Sequence, residues 1–142
     1  MSCRPLKSIL TSNESDIHFL GKCLAALWLK RQKYRSVFGF SISRYHDILL
    51  EYYVDGVGYV DVYAWDWLEN REVAVEVAWT TIHSTALKEK VAKLLSKGFK
   101  VILVSDTRPR WLPKDAEWIN IKTLFNMLSS SLSKYKCLMV NE

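Results

Sequence analysis

Hydrophobic positions first recur at helical spacing. Between about Thr11 and Lys33, apolar residues return every three or four positions, which predicts an amphipathic helix with one buried face. Thr11 and Glu14 have the spacing of a capping box and mark its expected start. The buried stripe consists of Ile17, Leu20, Leu24, Leu27 and Trp28. Residues 36–42 then alternate between apolar and polar, which is typical of a short edge strand or an extended loop.

The next pattern is strand-like, with β-branched and aromatic residues over 48–54, 57–65 and 71–80. Asp55-Gly56 is a strong signal for a tight hairpin between the first two strands, and residues 67–70 make a second turn. If Asp66 pairs with Arg71 across that turn, Val62 lies opposite Val75 and Asp61 opposite Glu76. We therefore expect an antiparallel meander with two facing acids.

The remaining elements alternate between helix and strand. Ser84 is a candidate cap for a helix to about Ser96, which Gly98 would end in a left-handed conformation. A short apolar run over 101–104 predicts a buried strand, and a loop containing two prolines separates it from a strand over 117–121. A closing helix over 122–135 is predicted to bury Leu124, Phe125, Leu128 and Leu132. The fold class is therefore α/β, in one domain over residues 1–142.

Composition narrows the function classes. Twenty basic residues against 15 acidic ones suit a polyanionic partner, although many proteins of similar charge bind none. The three cysteines lie far apart, without CxxC or histidine spacing, and read as free thiols of a reducing compartment. The N-terminal residues lack a signal-peptide pattern, and no apolar run is long enough to span a membrane. We expect a soluble, cytoplasmic protein with no membrane partner.

Asp61 and Glu76 are the candidate functional residues, since each interrupts an otherwise apolar strand. A buried carboxylate is unfavourable unless it is paired or binds a metal. The alternatives are an exposed sheet face, an ion pair with Arg71, Lys88 or Lys90, or a metal site. Two acids in register favour the metal site, because Mg²⁺ prefers one or two carboxylates with waters and phosphate.

The order of elements and the two acids together resemble the restriction-endonuclease-like superfamily, the PD-(D/E)xK nucleases, and within it the small Holliday-junction-resolvase-like and viral or plasmid-type members. The resemblance covers about residues 14–104. It implies that Asp61 is the first metal-binding acid, Glu76 the second and Glu14 a helix acid that completes the site. Val77 would add its backbone carbonyl, and the cofactor would be Mg²⁺ or Mn²⁺.

The chain departs from that family at Ala78, which stands where the strand lysine is usual. That lysine orients the attacking water and stabilises developing negative charge, which an alanine cannot do. Some divergent families supply the lysine from the following helix, where Lys90, or failing that Lys88, is the candidate. Two hypotheses follow: a Mg²⁺-dependent endonuclease acting on DNA, or an inactive nuclease-like module that binds nucleic acid or protein.

Basic and aromatic residues are the candidates for contact with a partner. We expect phosphate contacts from cations at the end of the first helix and in the loop after residue 104, namely Lys30, Arg31, Arg35, Arg108 and Arg110. Simple solvation explains each of them equally well. Aromatic side chains concentrated in the meander predict either base stacking or packing within the sheet. The same apolar surface predicts a homodimer.

Overall fold

The computed structural model describes the backbone of residues 16–132 and the side chains of residues 16–128. Within them the chain is mixed α/β, with three helices, a five-stranded mixed sheet and a two-stranded sheet. The helices are α1 (Asp16–Arg31), α2 (Thr85–Ser96) and α3 (Ile121–Leu132). The strands are β1 (Lys33–Arg35), β2 (Ser41–Ser43), β3 (Tyr45–Val54), β4 (Gly58–Asp66), β5 (Arg71–Val77), β6 (Lys100–Ser105) and β7 (Glu117–Asn120).

The main sheet has the strand order β3-β4-β5-β6-β7. Its first three strands form the predicted antiparallel meander, while β6 and β7 continue the sheet in parallel with β5. The predicted register is confirmed, because Asp66 pairs with Arg71 and Val62 with Val75. The mixed α/β class is therefore confirmed, whereas the restriction-endonuclease-like topology stays a prediction.

Helices cover both faces of the sheet, and β5 shows how the sequence divides between them. Its odd positions, including Val75 and Val77, pack with buried residues of α1 and α3. Ala74 and Ala78 pack with α2 on the opposite face. Because successive side chains of a strand point to opposite faces, Glu76 lies on the α2 side between these two alanines. The candidate acid is consequently held in one of the most buried strands of the molecule.

The ends of α2 follow the sequence signals. The Ser84 hydroxyl accepts a hydrogen bond of 3.1 Å from the Leu87 amide, which satisfies one of the first amides of the helix. Gly98 follows the helix with a φ of +88°, a conformation that side chains other than glycine rarely adopt. These two residues fix where Lys90 lies along the helix.

Three local predictions need correction. Residues 36–40 form the turn of a small hairpin, β1–β2, with Phe38 81% exposed, so they contribute no strand to the main sheet. Strand β5 ends at Val77, before the predicted Thr80, because the chain turns towards α2. Phe125 is 39% exposed, while Leu124 and Leu128 are buried as expected. The capping box at Thr11 and Glu14 lies outside the described residues.

None of the helices in the described part of the chain is both long and apolar enough to cross a membrane.

Candidate functional site

Asp61 and Glu76 meet where the hydrogen-bond ladder between β4 and β5 stops being regular. The paired register ends at Val62 and Val75. Beyond it, the Asp61 amide donates to Glu76 Oε2 at 2.9 Å, and the Val77 amide donates to Asp61 Oδ2 at 2.8 Å. Each carboxylate therefore accepts a backbone hydrogen bond from the opposite strand. The predicted juxtaposition of the two acids is present in the structure.

Lys90 reaches this pair from α2. Its Nζ lies 2.5 Å from Glu76 Oε1 and also donates to the backbone carbonyl of Tyr59. Lys88 is exposed, and within the described part of the chain it forms no ion pair with either acid. Glu76 and Lys90 lie on the same side of the sheet, so a helix lysine supplies the ammonium that Ala78 lacks.

His18 is a third partner, and no sequence motif singles it out. Its Nε2 lies 3.3 Å from Asp61 Oδ2, where the carboxylate accepts a hydrogen bond from the ring. The sequence gives one indication that His18 could face the sheet, which is that it directly follows Ile17 of the buried stripe of α1. Its contact with Asp61 spans 43 residues of sequence, and no local pattern predicts such a contact.

A second acid–base pair lies beside the site. Lys22, one helical turn after His18, is only 3% exposed, and its Nζ lies 2.5 Å from Glu51 Oε1. Glu51 belongs to β3, between Leu50, which pairs with Val62, and Tyr52, which pairs with Val60. The strand positions of Glu51, Asp61 and Glu76 thus form a row across three neighbouring strands. Each acid in this row contacts one basic side chain: Lys22, His18 and Lys90 respectively.

The pKa values of Asp61 and Glu76 are shifted in opposite directions. Burial raises the pKa of Glu76 to about 7, and the neighbouring Asp61 charge adds to this effect, although Lys90 opposes both. Burial alone would also raise the pKa of Asp61, but hydrogen bonds from His18 and from the Val77 amide hold it below its usual range. Near neutral pH, the Asp61 carboxylate therefore stays ionised, whereas Glu76 can gain or lose a proton.

The donor set fits a hard divalent cation in part. The Asp61 side chain is 16% exposed, and no described residue donates a hydrogen bond to its Oδ1, which leaves that oxygen for a ligand. Glu76 offers a second carboxylate, now engaged by Lys90 and the Asp61 amide. No group of three histidine, cysteine or acidic side chains in the described residues is arranged to hold a metal. Mg²⁺ needs only one or two carboxylates, with waters and phosphate completing its shell.

The structure says less about the two other predicted metal ligands, Glu14 and the Val77 carbonyl. Glu14 lies outside the described residues, so its role as the helix acid stays a prediction. Val77 is placed as expected, directly after Glu76 at the end of β5, with its amide bonded to Asp61. Its carbonyl as a metal ligand also stays a prediction.

The predicted phosphate-binding cations form no hydrogen bond or ion pair with Asp61 or Glu76. Lys30 and Arg31 end α1 about 20 Å along the helix axis from His18. Arg35 lies on β1, where its Nε donates to the Gly39 carbonyl. Arg108 lines a separate cavity, and Arg110 is exposed in the same loop.

Aromatic side chains of the meander pack largely against one another. Tyr52 and Tyr63 stack with ring centroids 4.2 Å apart, and Tyr53 meets Tyr59 edge-on at 5.3 Å. Tyr53 and Tyr59 are also 55% and 61% exposed, on the two strands at the open edge of the sheet. This edge is the surface available to the predicted homodimer, which stays a prediction.

Comparisons with known proteins add no relative. No protein-family model matches the chain, and no curated protein or solved structure matches it. The functional argument therefore depends on the geometry of the site itself.

Proposed function

We propose that this chain is a Mg²⁺-dependent endonuclease that hydrolyses phosphodiester bonds, with DNA as its substrate. The observation that carries the proposal is the convergence of three groups from three elements: Asp61 on β4, Glu76 on β5 and Lys90 on α2. Two carboxylates can hold a divalent cation and an ammonium can stabilise developing negative charge, a combination that suits metal-assisted phosphodiester hydrolysis. The resemblance to PD-(D/E)xK nucleases supports the same reading.

Each residue has a role that its surroundings permit. Asp61 and Glu76 would hold the cation, which when bound supplies charge neutralisation and a more acidic water. The His18 ring and the Val77 amide fix the orientation of the Asp61 carboxylate, and no described residue donates to its Oδ1, which would bind the cation. These contacts let Asp61 remain ionised in a largely buried position.

Lys90 is the ammonium of the proposed site. Until a cation binds, the raised pKa of Glu76, about 7, lets its carboxyl group take up or release a proton near neutral pH. Lys90 Nζ, 2.5 Å from Glu76 Oε1, is positioned to stabilise negative charge developing on the phosphoryl oxygens. The ammonium approaches from the α2 side, whereas His18 approaches Asp61 from α1.

The decisive experiment compares cleavage of duplex, single-stranded and branched DNA with Mg²⁺, with Mn²⁺ and with EDTA. We expect cleavage only with a cation, and we expect Asp61→Ala to lower the rate by about 100-fold or more, as for other charge-stabilising groups in enzyme sites. Asp55→Ala is the matched control, because Asp55 is exposed in the preceding turn and contacts neither candidate acid. Cleavage that survives in Asp61→Ala, or that EDTA leaves intact, contradicts the proposal.

One observation favours a second candidate, a nuclease-like module that binds nucleic acid or protein without catalysis. Ala78 occupies the usual lysine position, and the reciprocal backbone hydrogen bonds give both acids a structural role without a metal. Calorimetric titration with Mn²⁺ separates the two candidates. Binding that Asp61→Ala abolishes, with no cleavage of any of the three DNA substrates or of RNA, supports the module.

A further inference from the structure

A basic, aromatic cavity of about 500 Å³ lies away from the carboxylate pair. It is formed where the C-terminal end of α1 meets the first residues of β6 and β7, and Gln32, Lys100 and Glu117 are among its lining residues. Lys100 pairs with Val73 in the sheet, whereas Leu103 pairs with Glu76. Three residues of strand, about 10 Å, therefore separate this end of β6 from the candidate nuclease site.

Two of the four cations that line this cavity are already neutralised. Arg44 binds Asp66 through two nitrogens, at 3.1 and 3.0 Å, and binds Glu69 at 2.9 Å. Lys100, only 5% exposed, donates to the Tyr45 hydroxyl and to Glu69, both at 3.1 Å. These contacts neutralise Arg44 and Lys100 and hold both side chains in place in the cavity lining.

Arg108 and Lys114 provide the unmatched positive charge. Both are exposed, and neither has a carboxylate partner in the described part of the chain. The one acid in the cavity lining, Glu117, lies 3.7 Å from Lys100. An anion that enters the cavity would therefore meet two cations without having to displace an existing ion pair.

The loop that carries these cations is held in place. Two tight turns close within it, through hydrogen bonds from the Leu112 amide to the Pro109 carbonyl and from the Ala116 amide to the Pro113 carbonyl. Trp111 anchors the loop by donating from its indole nitrogen to the Ile82 carbonyl at 2.8 Å. Little backbone ordering should therefore be needed when a ligand binds.

An indole ring lines the same space. Trp28 belongs to the cavity lining, with its ring centroid 6.3 Å from that of the buried Tyr45. Trp118 is also a lining residue, but its side chain packs on the α2 side of the sheet, where its indole nitrogen donates to the Ser105 hydroxyl at 2.8 Å. A partly accessible aromatic ring beside unmatched cations suits a base and a phosphate joined in one molecule.

We propose that this cavity, defined by Trp28, Arg108 and Lys114, binds a phosphorylated nucleoside unit, supplied as a free nucleotide or as the 5′-phosphorylated terminal nucleotide of a strand. The indole ring of Trp28 contacts the base, and the two cations bind the phosphate. A volume of about 500 Å³ falls within the range of small-ligand sites and accommodates one nucleotide. The proposal goes beyond the nuclease proposal and does not depend on metal binding at Asp61.

Isothermal titration calorimetry in EDTA tests it, with AMP, adenosine, inorganic phosphate and a short oligonucleotide carrying either a 5′-phosphate or a 5′-hydroxyl. If the source is a free nucleotide, AMP binds at least about tenfold more tightly than adenosine or phosphate. If the source is a strand terminus, AMP binds weakly and the 5′-phosphorylated oligonucleotide binds at least about tenfold more tightly than its 5′-hydroxyl counterpart. The proposal is overturned if AMP has no advantage over adenosine and inorganic phosphate and the 5′-phosphorylated oligonucleotide also has none over its 5′-hydroxyl counterpart.

Variants locate the binding. Arg108→Ala/Lys114→Ala should weaken it at least about tenfold, since it removes both unmatched cations. Lys93→Ala/Lys97→Ala removes the same charge from exposed positions of α2 and the residue that follows it, on the other face of the sheet, and should leave binding within about twofold. Equal weakening by the two double variants would overturn the cavity assignment and leave only general electrostatic attraction. Asp61→Ala should bind normally, so failure of this proposal and failure of the nuclease proposal are distinguishable.

Discussion

Lys90 shows how the environment of one side chain separates two candidates that the sequence treats alike. Lys88 and Lys90 both lie on α2, yet only Lys90 contacts Glu76, with its side chain 24% exposed. Its aliphatic part crosses the edge of the helix and its ammonium ends over the sheet, as long basic side chains commonly do. Position along the helix, two residues apart, thus decides which lysine contacts Glu76.

This difference gives a prediction at the residue scale. Lys90→Met keeps the length of the aliphatic chain and removes the charge, so we expect Mg²⁺-dependent cleavage to fall by about 100-fold because developing negative charge loses its partner. Lys93→Met makes the same chemical change one turn along α2, at an exposed position, and should change the rate by less than about twofold. Cleavage rates of the two variants, measured on one DNA substrate, check this. Equal rates would remove Lys90 from the mechanism.

The turn between β4 and β5 sets the register that brings the two acids together, and one residue holds it. The Asp66 side chain is fully buried and accepts hydrogen bonds from the Leu68 and Glu69 amides as well as from Arg44. Arg44 and the other hydrogen bonds lower the pKa of Asp66 to about 2, although burial alone would raise it. The charge of Asp66 is therefore a structural requirement of this turn.

At the element scale we expect Asp66→Asn to destabilise the fold by about 3 kcal/mol, because it leaves Arg44 and Lys100 without their buried counter-charge. Asp55→Asn, in the exposed turn between β3 and β4, should cost less than about 0.5 kcal/mol. Urea unfolding followed by circular dichroism measures both. If the two substitutions have similar effects, Asp66 does not hold the register.

Glu76 and Asp66 change the stability of the fold in opposite directions as the pH falls. Because the pKa of Glu76 is raised from 4.5 to about 7, the native state binds more protons than the unfolded state in that window, and its contribution to stability is lost as pH rises. For Asp66 the pKa is lowered from 3.8 to about 2, so its contribution is lost as pH falls through that range. Together they favour greatest stability in the weakly acidic range, between about pH 4 and 5.

This whole-molecule prediction is tested with Glu76→Gln, which keeps the shape of the neutral acid. Relative to the native chain, the variant should gain stability as pH rises from 5 to 8, by at most about 3 kcal/mol, since each pKa unit is worth about 1.4 kcal/mol. Unfolding free energies of the native chain, of Glu76→Gln and of the exposed-turn control Asp55→Asn, measured at both pH values, provide the comparison. A constant difference between Glu76→Gln and the native chain would show that Glu76 does not titrate as described.

The sequence predicted the parts of the fold that depend on local patterns. Periodicity located α1, α2 and the strands of the five-stranded sheet but not β1 and β2, and the turn after Asp66 was enough to place Asp61 near Glu76. At residues 36–40 the alternation left an edge strand and an extended loop open, and the structure has a turn there, because the apolar residues alternate without being buried. Among the predicted site residues, Lys90 required a helix boundary as well, which Ser84 provided.

Long-range partnerships could not be predicted. His18 meets Asp61 across 43 residues and Lys22 meets Glu51 across 29, and both contacts depend on how α1 crosses the sheet. That crossing is close at Gly21, where an added Cβ would lie 2.5 Å from a methyl group of Val77. The packing of one helix on one strand therefore determines which basic side chains reach the row of acids, and hydrophobic spacing alone does not specify it.

The exchange of hydrogen bonds between β4 and β5 has a spectroscopic consequence. The amide of Asp61 donates to the carboxylate of Glu76, and the amide of Val77 donates to that of Asp61. In an ¹H–¹⁵N correlation spectrum, the Asp61 resonance should therefore titrate with an apparent midpoint near 7, while the Val77 resonance should shift below the pH range in which an aspartate ordinarily titrates. The Asp61 and Val77 amide signals would thus report the protonation of Glu76 and of Asp61 separately, without a substrate or a label on either carboxyl group. Added Mn²⁺ would broaden both signals if the carboxylates bind it.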